Sequence, residues 1–263
     1  MGHEKKIKLY FFECGTLKSQ KQYFTLNKDI GMPFEVPVPF FLIKHPKRNI
    51  LFDLGNSLFV AENPEKHWGD VVNAYYPVMK KEQYVVNQLK KIGINPEDIN
   101  YVILSHLHLD HAGGVGDFPN AVYVVQQKEY DWAYSPENNQ KDAYIKADFD
   151  KPVKWKKLNG EETYDFFGDG TLEIWFTPGH TPGHQSLMVN LENSGKFFLT
   201  ADSCYTDENL NENILPGLVW DAELSMNVLK KLQEMQKDSN ITIITGHDPL
   251  AWGNYKQAPE FYD

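Results

Sequence analysis

The 263-residue sequence is poor in cysteine and in long apolar stretches. Its two cysteines, Cys14 and Cys204, cannot build a disulfide framework, so we expect small buried or half-buried residues in a reducing compartment. No run of about 18 apolar residues occurs, which argues against a transmembrane helix. The first residues, MGHEKKIKLYFF, show no apolar signal segment with a cleavage site. These absences predict a cytoplasmic protein without a membrane partner.

Basic residues are also scarce. The chain has 26 Lys and Arg against 36 Asp and Glu, a formal net charge of −10. An acidic surface repels phosphodiester backbones, so we expect no nucleic-acid partner. No internal repeat or linker composition divides the chain, and residues 1–263 are expected to form one domain, as a monomer or homodimer. The polar segments 135–142 and 207–213 are expected to be surface loops.

Apolar patterns predict many strands and few helices. Helical spacing indicates helices over 79–93 and roughly 221–236. Short apolar, aromatic-rich runs predict strands at 7–12, 36–43, 49–54, 101–105, 121–126, 172–177, 185–191, 196–201 and 241–245. Repeated strands with helices between them favour an α/β fold in which two sheets are covered by helices.

Side chains that bind metals follow several of these strands. The stretch ILSHLHLDHAGG, residues 103–114, places three of the chain's nine histidines directly after the strand at 101–105. Three further donors follow three other strands. The complete candidate set is His106, His108, Asp110, His111, His184, Asp202 and His247. Because strand ends are rigid anchors, four strands that deliver such donors to one rim predict a metal site.

The number of donors indicates how many ions the site holds. Five imidazoles and two carboxylates are more than one tetrahedral zinc needs, so we expect two divalent ions, with zinc as the expected metal. Asp202 has two oxygens and is the natural ligand to share. Each ion keeps a position for water, which is typical of a hydrolytic site rather than a structural one. Donors of this kind also accept Mn, Fe and Co.

The motif HLHLDH, followed by GH, AD and GH, resembles the metallo-β-lactamase superfamily. The segments SHLHLDHAGG, TPGHTPGHQSL and LTADSCYT are similar to its N-acyl homoserine lactonases, and the resemblance spans nearly the whole chain. It implies an αββα sandwich of two mixed β-sheets flanked by helices. It also implies one metal held by His106, His108 and His184 and another held by Asp110, His111 and His247, with Asp202 between them. Tyr205 would reach the substrate carbonyl.

The expected activity is opening of the lactone ring of N-acyl homoserine lactones, which silences quorum signals. A hydroxide bridging the two metals would attack the ester, and Asp110 would pass a proton to the departing ring oxygen. Another small-molecule lactone, such as a pyridoxine-pathway lactone, and a glyoxalase II-like thioester stay open as alternatives. The net charge of −10 disfavours a nuclease, and His108 disfavours a di-iron flavoprotein. A protein of this fold that has lost its activity and only binds a partner would lack at least one metal-binding residue, and all seven are present.

Other candidates have more ordinary interpretations. His180 is expected to brace the loop behind the ligands, and Asp53 to orient a ligand or fix a turn. His3, His45 and His67 follow no ligand pattern and are expected to be exposed.

The substrate cleft is the least defined region. Leu109 stands where the similar lactonases have an aromatic residue, so we expect a different wall in the acyl pocket. The aromatic residues Trp68, Tyr75 and Tyr76 either line an apolar pocket or simply pack.

Overall fold

The computed structural model describes residues 6–137 and 139–263. Within these ranges the strands are β1 (Lys8–Gln20), β2 (Pro33–His45), β3 (Arg48–Phe52), β4 (Tyr76–Val78), β5 (Tyr101–Ile103), β6 (Val122–Gln126), β7 (Lys154–Leu158), β8 (Thr163–Asp165), β9 (Leu172–Phe176), β10 (Gln185–Leu191), β11 (Gly195–Leu199) and β12 (Ile241–Ile244). The α-helices are α1 (Pro64–Trp68), α2 (Val85–Lys91), α3 (Gln127–Tyr134), α4 (Lys146–Phe149), α5 (Asp207–Glu212), α6 (Ala222–Met235) and α7 (Pro249–Trp252). Among the described residues, no helix has the length and apolar character needed to cross a membrane.

The strands form two mixed sheets. One has seven strands in the order β4-β1-β2-β3-β5-β6-β7, and the other has five in the order β12-β11-β10-β9-β8. Strands β3, β5, β6 and β7 run parallel to one another, whereas β1, β2, β3 and β4 pair antiparallel. In the smaller sheet only β11 and β12 are parallel.

Both faces of the larger sheet are apolar, and each face contributes to a different core. Successive side chains of a strand point to opposite faces, so Leu9 and Phe11 of β1 enter the core between the two sheets. Tyr10 and Phe12 point the other way, into a second core beneath helix α2. Helix α6 packs Leu229 and its neighbours over the outer face of the smaller sheet. The predicted αββα sandwich of two mixed sheets is confirmed.

The predicted elements needed several corrections. Residues 207–213 were expected to be a loop, but 207–212 form α5, because Thr206 caps its start and Leu210 is buried. The strand expected over 196–201 ends at Leu199, since Ala201 adopts φ +46° and leaves the extended conformation. The helix expected over 79–93 is shorter, covering Val85–Lys91.

Candidate metal centre

The donors meet where several strands end. The loop after β5 carries the cluster of residues 106–111, the loop between β9 and β10 carries His180 and His184, Asp202 follows β11, and His247 follows β12. All of these side chains are buried. The structure therefore brings the candidate residues at these strand ends close together, but only six of the seven, all except His184, lie in groups spaced to hold a metal.

One group of donors surrounds a single point. Nε2 of His180 lies 3.2 Å from Nε2 of His106 and 3.0 Å from Nδ1 of His108. Oδ2 of Asp202 lies 3.3 Å from the same His180 atom. The nitrogen ligands of a tetrahedral zinc lie roughly 3.3 Å apart, given Zn–N bonds of about 2.0–2.1 Å. These four side chains have the spacing of a metal site.

A second group lies on the other side of Asp202 and contains Asp110, His111 and His247. Oδ1 of Asp202 is 3.1 Å from Nε2 of His111 and 3.2 Å from Nε2 of His247. The Asp110 oxygens are 3.6 and 3.7 Å from those two nitrogens. Asp202 thus directs one oxygen toward each group, which is the arrangement expected of a shared ligand.

Hydrogen bonds within the protein do not provide partners for all the polar atoms at this centre. Three ring nitrogens, on His106, His108 and His180, converge within about one hydrogen-bond length, and a single N–H cannot serve them all. Nε2 of His111 and Oδ1 of Asp202 are buried without a hydrogen bond. Buried polar atoms are normally satisfied, so these lone pairs fit divalent cations. The donor set is suited to binding metal.

The outer nitrogens of four histidines explain how the rings are aimed. Nδ1 of His180 donates to the Leu218 carbonyl at 2.9 Å, and Nδ1 of His247 donates to the Pro37 carbonyl at 2.8 Å. The Nδ1 atoms of His106 and His111 contact Ser105 Oγ at 2.9 Å and Asp53 Oδ2 at 2.8 Å, respectively. Each contact leaves Nε2 facing the centre, as in many metal-binding histidines. Asp53 is thus in position to orient the ring of His111, a candidate ligand.

His184 does not fit this pattern, and the structure goes against its predicted role as a ligand. Its Nε2 atom accepts a hydrogen bond from the backbone N–H of Asp202 at 3.1 Å, and Nδ1 contacts Thr177 Oγ1 at 2.9 Å. The ring has no lone pair left for a cation. His180, rather than His184, lies with His106, His108 and Asp202 in the donor group.

Electrostatics separate the two groups of histidines. Burial lowers the pKa of His106 and of His108 well below the usual value, so both rings are neutral and able to ligate. Burial acts in the same direction on His111 and His247, but the nearby Asp202 carboxylate outweighs it and raises the pKa of each. The carboxylates therefore concentrate negative charge beside the second group, where a cation would be stabilised.

A cavity opens directly above the donors. Among the described residues, its lining combines the donors with apolar and aromatic side chains, including Leu17, Phe24, Val71, Leu109 and Leu218. Tyr205 and Tyr75 add phenol groups to this lining. Of the undecided aromatics, Tyr75 lines the cavity, whereas Trp68 packs in the core beneath the larger sheet and Tyr76 is exposed on β4.

Tyr205 lies beside the donors. Its hydroxyl is 3.4 Å from Nδ1 of His180, and its ring packs 5.2 Å from the ring of His247. Burial and the charge of Asp202 raise the pKa of Tyr205 well above its usual value. The phenol therefore keeps its proton at neutral pH and is available as a hydrogen-bond donor.

The remaining histidines were predicted less well. His45 is buried and stacks on Phe167 at 4.4 Å, so its expected exposure is wrong. His67 is half-buried and binds Asp148 at 2.8 Å. His3 lies outside the described residues.

Comparisons with known proteins agree with this fold and identify the family. A family model for the metallo-beta-lactamase superfamily matches residues 34–247. The chain is 46% identical over 259 residues to the N-acyl homoserine lactonase AttM of Rhizobium radiobacter, covering 97% of this chain and 98% of that protein. It is 34% identical over 257 residues to the N-acyl homoserine lactonase AiiA of Bacillus thuringiensis subsp. kurstaki, with 97% and 98% covered.

A solved structure agrees as well. An N-acyl homoserine lactone hydrolase, determined with the product N-hexanoyl-L-homoserine bound at its catalytic metal centre, superimposes with a TM-score of 0.88. The two chains are 33% identical, and the match covers 98% of this chain and 100% of the other. The chain is therefore a member of the metallo-beta-lactamase superfamily and, within it, of the N-acyl homoserine lactonase family.

Proposed function

We propose that the protein hydrolyses the lactone ring of N-acyl homoserine lactones at a centre of two divalent cations, with zinc as the metal. The observation that carries this proposal is the placement of Asp202 between two donor groups beneath a largely apolar cavity. The relatives named above are described as lactonases of this class, which supports the same substrate here.

The ligand assignment follows the measured distances. One cation would be held by His106, His108 and His180, and the other by Asp110, His111 and His247, with Asp202 shared between them. When bound, the two cations would polarise the ester carbonyl as Lewis acids and make water a nucleophile at neutral pH. His184 supports the Asp202 backbone instead of binding metal.

The cavity's own side chains would orient the substrate and move its protons. Tyr205, protonated at neutral pH, would donate a hydrogen bond to the carbonyl oxygen as negative charge develops there. Asp110 lines the cavity and would carry the proton released by water to the ring oxygen as the acyl carbon–oxygen bond breaks. Apolar residues such as Leu109 and Phe24 would exclude water around the acyl chain.

A substrate panel tests the activity. Purified protein would be assayed for kcat/KM with N-acyl homoserine lactones of graded chain length, unrelated lactones including a pyridoxine-pathway lactone, thioesters and phosphodiesters. The matched control is protein stripped by a chelator and then restored with Zn²⁺. We expect preference for the acyl homoserine lactones, activity lost on stripping, and about two ions per chain by elemental analysis. Preference for a thioester or for another lactone would overturn the proposed substrate.

An isotope experiment tests the bond that breaks. Hydrolysis in ¹⁸O-water under single-turnover conditions should place the label in the carboxylate of the product and leave its alcohol oxygen unlabelled. Label in the alcohol would mean cleavage of the alkyl carbon–oxygen bond, and a trapped acyl-enzyme would mean that a side chain is the nucleophile. Either result contradicts the mechanism.

A further inference from the structure

We propose that Glu129 is a positioning residue for the metal centre, and that its buried carboxylate holds together the two loops that supply His106, His108 and His180. The inference rests on the metal-dependent function proposed above. Glu129 lies on α3, outside both loops, and its side chain is fully buried.

The Glu129 carboxylate accepts hydrogen bonds from separate parts of the chain. Oε1 accepts from the backbone N–H of Leu107 at 3.0 Å and from the hydroxyl of Tyr144 at 2.8 Å. Oε2 accepts from the hydroxyl of Thr181 at 2.5 Å, and the backbone N–H of Gly183 also hydrogen-bonds to the carboxylate. Two of these donors are in the loop between β9 and β10, and one is in the loop after β5.

Each bond acts next to a proposed ligand. Leu107 lies between His106 and His108 in the sequence, so fixing its N–H fixes the peptide that joins two ligands. Thr181 directly follows His180. Through Tyr144 the carboxylate also reaches His108, because the two rings pack at 4.4 Å. One side chain thus sets the relative position of three histidines.

Close backbone packing holds the second loop against the start of α3. A Cβ atom added at Gly183 would lie 2.1 Å from the backbone nitrogen of Glu129, closer than any real contact. Only glycine permits this approach, which brings the loop that carries His180 within reach of the carboxylate.

The charge of the buried Glu129 carboxylate makes its role testable by substitution. All of its contacts are donors, so the arrangement fits the ionised carboxylate, yet in the described ranges it has no ion pair with a lysine or arginine. An unpaired buried carboxylate is unfavourable. Divalent cations held by the neighbouring histidines would offset the charge of this carboxylate. Glu129 is therefore stabilised when the centre is loaded and strained when it is stripped.

The experiment compares Glu129→Gln with Asp131→Asn, an exposed carboxylate on the same helix. The affinity for Zn²⁺ and Co²⁺ would be measured by competition with a chelator, together with the visible absorption of the Co²⁺ protein and the Tm of the stripped and loaded forms. We expect Glu129→Gln to bind metal about 10- to 100-fold more weakly, with an altered Co²⁺ spectrum. Asp131→Asn should match the wild type.

The two Tm values separate positioning from general structural support. Glu129→Gln leaves some of the donors to this carboxylate without an acceptor in both forms, but only the loaded form also loses metal-binding energy, so the Tm should fall more in the loaded than in the stripped protein. An equal loss in both forms, or wild-type affinity with an unchanged spectrum, would overturn the inference.

Two further variants keep the test decisive if Glu129→Gln does not fold. Tyr144→Phe and Thr181→Val each remove one hydroxyl donor and preserve shape, and each should weaken metal binding several-fold. Unchanged affinity in both would contradict the role of Glu129. Wild-type protein that binds no divalent cation would overturn the proposed function itself, a result distinct from any variant effect.

Discussion

The backbone N–H of Asp202 donates a hydrogen bond to Nε2 of His184 at 3.1 Å. This contact uses the lone pair that a metal ligand would need, and it positions the peptide that carries the shared carboxylate. His180, four residues earlier, instead directs Nε2 to 3.3 Å from Asp202 Oδ2. The two histidines of one loop therefore have different roles at the same aspartate.

Substitution of the two histidines should separate these roles. His180→Ala removes a ligand, and we expect metal content to fall from about two ions per chain toward one. His184→Gln keeps a side-chain acceptor near the Asp202 N–H, and we expect it to retain both ions with a modest loss of stability, about 1 kcal/mol for a weakened hydrogen bond. Elemental analysis and the Co²⁺ spectrum provide the measurement. The reverse pattern would restore the assignment of His184 as the ligand.

Asp202→Asn should disturb both halves of the centre. An amide presents one oxygen and one NH₂ group, and the NH₂ group cannot ligate a cation. The variant therefore offers a ligand atom to only one of the two donor groups, and the negative charge between the groups is removed. We expect fewer than two ions per chain and at least about 10²-fold lower kcat/KM. Asp238→Asn, on the exposed surface, is the matched control. Two tightly held ions with full activity would show that Asp202 is not shared.

Much of the fold was predictable because its strands are apolar on both faces. A strand such as β1 is covered by the second sheet on one side and by helices on the other, so its apolar run stands out in the sequence. The donor positions were predictable for a related reason, since they follow those runs directly. Only the three-dimensional structure shows that the strand ends meet.

Other features depend on contacts that the sequence does not reveal. His180 and His184 both follow a PGH-type pattern, and only their hydrogen-bond partners distinguish them. Helix α5 is mostly polar, and this composition favours a loop. The Thr206 side chain nevertheless accepts a hydrogen bond from the Asn209 N–H and so stabilises the start of a helix. Glu129 is a single acidic residue in a helix of mixed composition, and nothing in its spacing indicates that it is buried.

Tyr205→Phe tests the hydrogen bond to the substrate carbonyl. The ring and its packing are retained, so metal content and KM should change little. Loss of a donor to a developing oxyanion typically costs about 10²-fold in rate, and we expect kcat to fall by that order. Tyr255→Phe, which removes a hydroxyl from a ring packed on Phe11 and Trp252, is the control. An unchanged kcat on the best lactone would refute the role of Tyr205.

Leu109 offers a test of how the cavity selects its acyl chain. Its side chain lines the cavity, while its backbone N–H is fixed by the Ala143 carbonyl at 2.9 Å, so a substitution changes the wall without moving the loop. Leu109→Ala removes contacts with a short chain and leaves room for a longer one. One buried CH₂ contributes about 0.8 kcal/mol, or roughly 4-fold in kcat/KM.

We therefore expect Leu109→Ala to raise the ratio of kcat/KM for decanoyl over butanoyl homoserine lactone by at least roughly 4-fold, the value of one methylene group. Leu109→Phe fills the same space and should lower that ratio. The control is Leu250→Ala, because Leu250 is 84% exposed and lies away from the cavity lining. Metal content should stay constant in all three variants. If both substrates change by the same factor, Leu109 supports the site as a whole and does not set its preference for chain length.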